Sequence, residues 1–198
     1  MLVLPYAGVA PEIAAPPLHA APDAAVLGRV TLGAGARLES RCVIRADGHF
    51  IRIGDEFHLG PRSTLHIVED LYPAILGDRV TVGANACVHA CTVGSDCVIE
   101  DDAVVLDGSV VADEVIVERA SVVFPRSRLQ RGFVYAGAPA KQVRPVRAGE
   151  IAERRHREFE KELPFFPAAH SGAIDATAFI AQTAHVRGKL TAQTGCSI

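Results

Sequence analysis

Tryptophan is absent from this 198-residue sequence, and aromatic residues make up only 6% of it. A core here must be packed by small and β-branched side chains, which favours strands over helices. The five cysteines form no CxxC pair, so zinc-knuckle and dithiol-redox readings lose their usual support. An odd number also leaves no closed disulfide framework, and the thiols read as reduced, in a cytoplasmic protein. There is no long basic run and the net charge is −3, which argues against nucleic-acid binding. No apolar stretch is long enough to span a bilayer. The opening MLVLPYAGVAPEIAAPP lacks a basic start and is broken by Pro5, Pro11, Pro16 and Pro17. Residues 1–19 therefore read as an N-terminal arm and not a signal peptide.

What is present is a repeat of six. From Val93 the chain falls into VGSDCV, IEDDAV, VLDGSV, VADEVI and VERASV. Each block opens on a branched aliphatic: Val93, Ile99, Val105, Val111 and Val117, followed by Val123. The fifth position is small or aliphatic: Cys97, Ala103, Ser109, Val115, Ser121. The same phase runs through Val26, Leu32, Leu38 and Ile44, then Ile53, Leu59 and Leu65, then Leu76, Val82 and Val88. Six matches neither a helix nor a two-residue alternation. It fits a coil of three short flat sides, each block giving one side and one corner. The aliphatic points inward, and Gly, Asp and Asn take the unusual corner dihedrals. Stacked coils pair backbone to backbone about 4.8 Å apart. The predicted fold is all-β: a parallel β-helix of hexapeptide repeats over residues 20–146.

Two stretches break the phase, Ala46–Phe50 and Val68–Ala74, and loops leaving a solenoid commonly carry function. A solenoid end is an open edge that needs covering. Residues 147–163, around AGEIAERRHREFEKEL, predict a C-terminal helix to cover it. Ile151, Phe159 and Leu163 give its apolar side, Glu150 and Arg154 an i,i+4 pair on a solvated side, and Pro164 its end.

These motifs resemble the γ-class carbonic anhydrase family of left-handed hexapeptide β-helix proteins. The matching stretches are VIRADGHFIRIGD (Val43–Asp55), STLHIVED (Ser63–Asp70), AILGDRVTVGANACVHACTVG (Ala74–Gly94) and YAGAPAKQVRPV (Tyr135–Val146). The last is shared with hexapeptide acyltransferases; the spacing of the first three favours the carbonic anhydrase branch. The resemblance implies a left-handed coil, a homotrimer, and zinc held between subunits by three histidines. His66 and His89 match the first and last of these, and Ala84 stands at the middle one, which relatives supply from the adjacent subunit. Relatives carry Gln and Asp where this chain has Gly60 and Pro61. Arg45 and Asp47 match an Arg–Asp pair that supports the trimer interface in relatives.

The repeat phase independently relates two of these residues. His66 follows the inward Leu65 and His89 follows the inward Val88, so the two should stack in neighbouring coils, roughly 5 Å apart. Catalytic zinc needs three protein ligands and an open position for water, and a methyl group ligates nothing. The expectation is an incomplete site, with zinc weakly bound or absent. His58, or His49 in the first interruption, stands as a possible substitute ligand reaching His66 and His89 across an interface. Three functions stay open: a trimer without normal CO₂ hydration, serving assembly or ligand binding; a zinc enzyme with a rearranged site; and an acyltransferase using a histidine base.

The tail raises a separate expectation. Arg187–Ile198, RGKLTAQTGCSI, resembles the coil Leu27–Leu38, LGRVTLGAGARL. Residues 164–198 read as a linker followed by the opening coil of a second β-helix, completed by a further domain or by a neighbouring chain, or else as a loosely held tail.

Overall fold

The computed structural model describes residues 1–160 and, beyond them, His170–Ser171, Gly188–Lys189 and Thr191. It divides into a body, Met1–Glu160, and a C-terminal unit, Lys161–Ile198. The body is a left-handed parallel β-helix of about seven turns. Its inward residues form three columns. Val26, Ile44, Leu65, Val88, Val105 and Val123 line the first face, in register turn after turn. Leu32, Ile53, Leu76, Val93, Val111 and Leu129 line the second. Leu38, Leu59, Val82, Ile99, Val117 and Tyr135 line the third. Nearly all are fully buried, so the six-residue phase is the core of the molecule.

Each corner places one residue in the left-handed region, immediately before an inward residue that is mostly small but is Phe57, Val80 or Val115 at three of the corners. Glycine, aspartate and asparagine are the expected occupants, and Gly35, Asn85, Asp96 and Asp102 are among them. The structure also puts Arg41, Glu56, Arg79, Glu114, Ala120 and Arg126 there, with φ between 54° and 60°. Such residues cost about 1 kcal/mol or more each. Stacking offsets this, because the corner N–H reaches the preceding turn. Asp102 N donates to Ala84 O at 2.8 Å and Glu114 N to Ser95 O at 3.0 Å. Side chains add to it, as where Arg79 binds Asp96 bidentately at 2.7 and 2.8 Å.

The Gly-Asp pairs have a shared cause. At the corner between second and third faces, Asp55 accepts the N–H of Ala34, Asp78 that of Asp55, and Asp113 that of Ser95, at 2.8–2.9 Å. A side chain at Gly94 would strike Asp113, so glycine makes room for this carboxylate ladder. These acids therefore build the coil.

Three expectations are corrected. The arm is the first turn of the solenoid: Leu2–Leu4, Glu12–Ile13 and His19–Ala20 each pair in parallel with the next coil. Met1, Ile13 and Ala20 pack on its core, while Pro5, Pro11, Pro16 and Pro17 fall outside those strands, where no ladder N–H is needed. The first interruption is a bulge and not a free loop: Val43–Ile53 runs as one strand from first face to second, with the register shifting between the Gly28–Ala46 and Val30–Ile51 pairs. The helix forms over Glu150–Phe159, inside the expected range, but it covers a flat face and not an end. Ile151 packs with Val98, Ile116 and Val134, the outward side of the third face. Leu163 and Pro164 lie outside the described residues.

Glu150 is also not on a solvated side. It is 1% exposed and receives hydrogen bonds from Arg144 (2.7 and 2.8 Å), Arg147 and Arg154. The Arg144 hydrogen bonds outweigh burial and hold its carboxyl far below the usual carboxylate range. Arg154 continues to Glu100 at 2.7 Å, tying the helix to the coil.

Candidate functional site

The corner between first and second faces carries a continuous polar chain across four turns. Parallel pairing sets Arg45, His66 and His89 side by side in successive coils. Each directly follows an inward aliphatic, so its side chain turns out at the edge. His66 Nδ1 lies 3.0 Å from His89 Nε2, with ring centroids 5.0 Å apart, as the repeat phase predicted.

Carboxylates close both ends. Asp47 Oδ1 is 2.8 Å from His66 Nε2, and Asp107 Oδ1 is 2.5 Å from His89 Nδ1. Arg45 grips the other oxygen of Asp47, with Nε at 2.7 Å. Burial opposes charge on Asp47, yet the hydrogen bonds from His66 and Arg45 prevail and hold its carboxyl below the ordinary value. Asp107 was not anticipated. The register could have narrowed it, because the offset of seventeen that pairs Val88 with Val105 puts Leu106 level with His89, and Asp107 is the next residue.

Hydrogen counting limits what the chain of contacts can be. Ionised carboxylates only accept, so each outer ring nitrogen donates. One further proton must lie between the two inner nitrogens.

The same inner nitrogens are those a metal would take, and carboxylates behind ligating histidines are the usual supporting arrangement. They supply two donors. Catalytic zinc takes three protein ligands, and among the described residues no cluster of three histidine, cysteine or acidic donors occurs. Ala84 sits before the strand Cys87–His89, at the opposite corner of the first face. It is nearly buried, with its N–H on Asp101 at 2.8 Å. The described residues of one chain do not make a catalytic zinc set.

Within the chain, neither His58 nor His49 meets the pair. His58 is 2% exposed on the third face, its ring 4.9 Å from Phe159 of the helix. His49 packs on Phe50 and accepts the Phe50 N–H at 2.9 Å. Gly60 has a packing cause: a Cβ there would lie 2.5 Å from the carbonyl carbon of Gly83. Pro61 accepts the N–H of Asn85 at 3.0 Å. Neither position offers a polar side chain. Burial pushes the thiols of Cys42, Cys91 and Cys97 up to about 12, which makes them core groups and not nucleophiles.

A left-handed hexapeptide coil with a carboxylate-backed histidine pair on one edge defines a hexapeptide β-helix protein. No family model matches the sequence. It is 35% identical over 136 residues to Gamma carbonic anhydrase 2, mitochondrial, of Arabidopsis thaliana, covering 66% of this chain and 49% of that protein. It is 33% identical over 137 residues to Protein YrdA of Escherichia coli K12, covering 66% of this chain and 74% of the relative. A hexapeptide transferase family protein from Anaplasma phagocytophilum superposes with a TM-score of 0.73 at 25% identity, covering 80% of this chain and 92% of the other. The chain belongs to the γ-carbonic-anhydrase-like family. It spans about half the length of the plant relative.

Proposed function

We propose that this protein is a γ-carbonic-anhydrase-like homotrimer without normal CO₂ hydration, serving an assembly or ligand-binding role in the cytoplasm. The observation that carries this reading is Ala84, a methyl group where relatives place the third zinc ligand. Gly60, seated against the Gly83 backbone, supports it. Without a third ligand, zinc binds weakly or not at all, and no hydroxide forms near neutral pH.

Self-association draws support from the first face. Its outward residues Ala25, Val43, Thr64, Cys87, Val104 and Val122 form a mostly apolar stripe of half-buried side chains. The helix covers the third face, while the second presents Thr31, Arg52, Thr92 and Arg128 to solvent. The first face is thus the natural one to pack on a neighbour. Arg45 and Asp47 border it and fit the interface role the resemblance implies. Among the described residues, no helix is long and apolar enough to cross a membrane.

A rearranged zinc enzyme is the second reading, favoured by the convergence of two carboxylate-backed inner nitrogens. Stopped-flow CO₂ hydration on zinc-supplemented protein separates the two. The proposal expects the rate of the metal-free control. Activity well above it, lost in His89→Ala, establishes the second reading.

A further inference from the structure

Four successive coils leave the regular path at the corner between first and second faces. In the first, Tyr6 and Val9 exchange both backbone hydrogen bonds at 2.9 Å and close a hairpin over Ala7 and Gly8. Both central residues are left-handed, with φ of 47° and 79°, as in a type I′ turn. Alanine in that region costs about 1 kcal/mol or more, and such strain clusters at ligand sites. In the second coil, Arg29 is the bulged residue: Gly28 pairs with Ala46 and Val30 with Ile51, while Arg29 stands between the two pairs. Bulges re-aim a side chain in this way. Glycine at 28 lets the hairpin close down, since a Cβ there would lie 2.0 Å from Ala46 O and 3.3 Å from Tyr6 Cβ. In the fourth coil, Glu69 leaves the corner and packs on Gly48 of the third, where a Cβ would stand 3.0 Å from its Cγ.

These departures enclose a cavity of about 220 Å³, bordered by Tyr6, Val9, Arg29, Asp47 and Glu69. The oxygens of Asp47 are already taken by His66 and Arg45. Arg29 and Glu69 differ from it. Among the described residues neither side chain makes a hydrogen bond or an ion pair, with the other or with any neighbour. Opposite charges thus line one cavity without meeting, and a molecule carrying one charge of each sign satisfies both.

We propose that this cavity binds a small zwitterion, an amino acid whose carboxylate lies on the Arg29 guanidinium and whose ammonium lies on Glu69. The guanidinium fork donates two parallel hydrogen bonds to a carboxylate, and an ionised Glu69 accepts from ammonium. Tyr6 and Val9 supply an apolar wall for the short chain between the two charges. The volume lies below the ~300–1,000 Å³ of pockets for drug-sized ligands, so the occupant is smaller than a nucleotide or a coenzyme A thioester. The proposal rests on the ligand-binding role above and gives it a chemical class, at a cavity that needs no metal.

Isothermal titration calorimetry of the full-length, chelator-treated protein with glycine, β-alanine and 4-aminobutyrate tests it, because the series steps the distance between the two charges. At least one is expected to bind at one site per chain. Propionate and propylamine, with one charge each, are expected to bind about tenfold more weakly or worse, the effect of losing one charge-assisted hydrogen bond. Arg29→Gln and Glu69→Gln, at exposed positions, are each expected to weaken binding by a similar factor with an unchanged circular dichroism spectrum. No heat from any of the three zwitterions overturns the proposal. So does propionate or propylamine binding as tightly, or a zwitterion whose affinity neither variant alters. Chelator keeps zinc out of the measurement, so failure here leaves the proposed loss of hydration standing.

Discussion

His66 Nδ1 and His89 Nε2 face each other at 3.0 Å, each ring held from behind by a carboxylate. In this protein the contact is a hydrogen bond that links coils. His89→Ala strands the inner nitrogen of His66 and one oxygen of Asp107. Both sites are partly exposed, so the expected loss is modest, about 1–2 kcal/mol. Thermal unfolding followed by circular dichroism should show a Tm lower by a few degrees, with or without chelator. A loss seen only when zinc is supplied would mean that metal, and not the proton, links the rings.

Glu150 anchors the helix. Glu150→Ala leaves Arg144 and Arg154 facing a buried gap. Breaking a buried ion pair costs about 3 kcal/mol, the low end of the usual range because Arg144 still meets water. Limited proteolysis should cut near Glu150–Phe159 in the variant while the coil persists. Equal resistance of variant and parent would contradict this.

The same residue sets an acid limit. Its carboxyl is held below the ordinary value of 4.5. A depressed carboxylate contributes stability that is complete above its unfolded value and is lost as pH falls through the folded one. Stability should therefore decline below about pH 4.5, and the decline should be shallower in Glu150→Gln. Parallel urea midpoints from pH 6 to pH 3 measure it; identical slopes would count against the assignment.

The repeat made the core legible. Strict spacing of Val93, Ile99, Val105, Val111 and Val117 leaves one periodic structure that buries them all, and all are buried. The His66–His89 stack followed from phase alone. Other parts needed coordinates. Glu150 looked solvated because its i,i+4 partner is the ordinary exposed pattern, whereas Arg144 meets it across a chain reversal that sequence spacing does not reveal. The prolines of residues 1–19 hid the first turn, since proline speaks against strands while permitting corners. The tail residues 164–198, read as a second opening coil, fall mostly outside the described residues.

Gly60 ties scaffold to site. Gly60→Gln puts a Cβ into the Gly83 backbone. The expected cost is about 1–3 kcal/mol, as for other overpacking changes. Hydration should stay at background, because the ligand set is unchanged. A variant as stable as the parent would show that the corner yields and that Gly60 is no packing constraint.

Val104→Arg addresses the uncovered first face. Val104 is half-buried in the chain and lies on the apolar stripe. A charge there should lower the oligomer mass read by light scattering while the circular dichroism spectrum holds. An unchanged mass would place the interface elsewhere.

Zinc stoichiometry tests the central claim most directly. Protein equilibrated with a small excess of zinc, passed over a desalting column and measured by elemental analysis should carry well under one zinc per chain. Ala84→His, which returns the third donor, should raise this toward one per chain. One zinc per chain in the parent, removed by His66→Ala, would contradict the account.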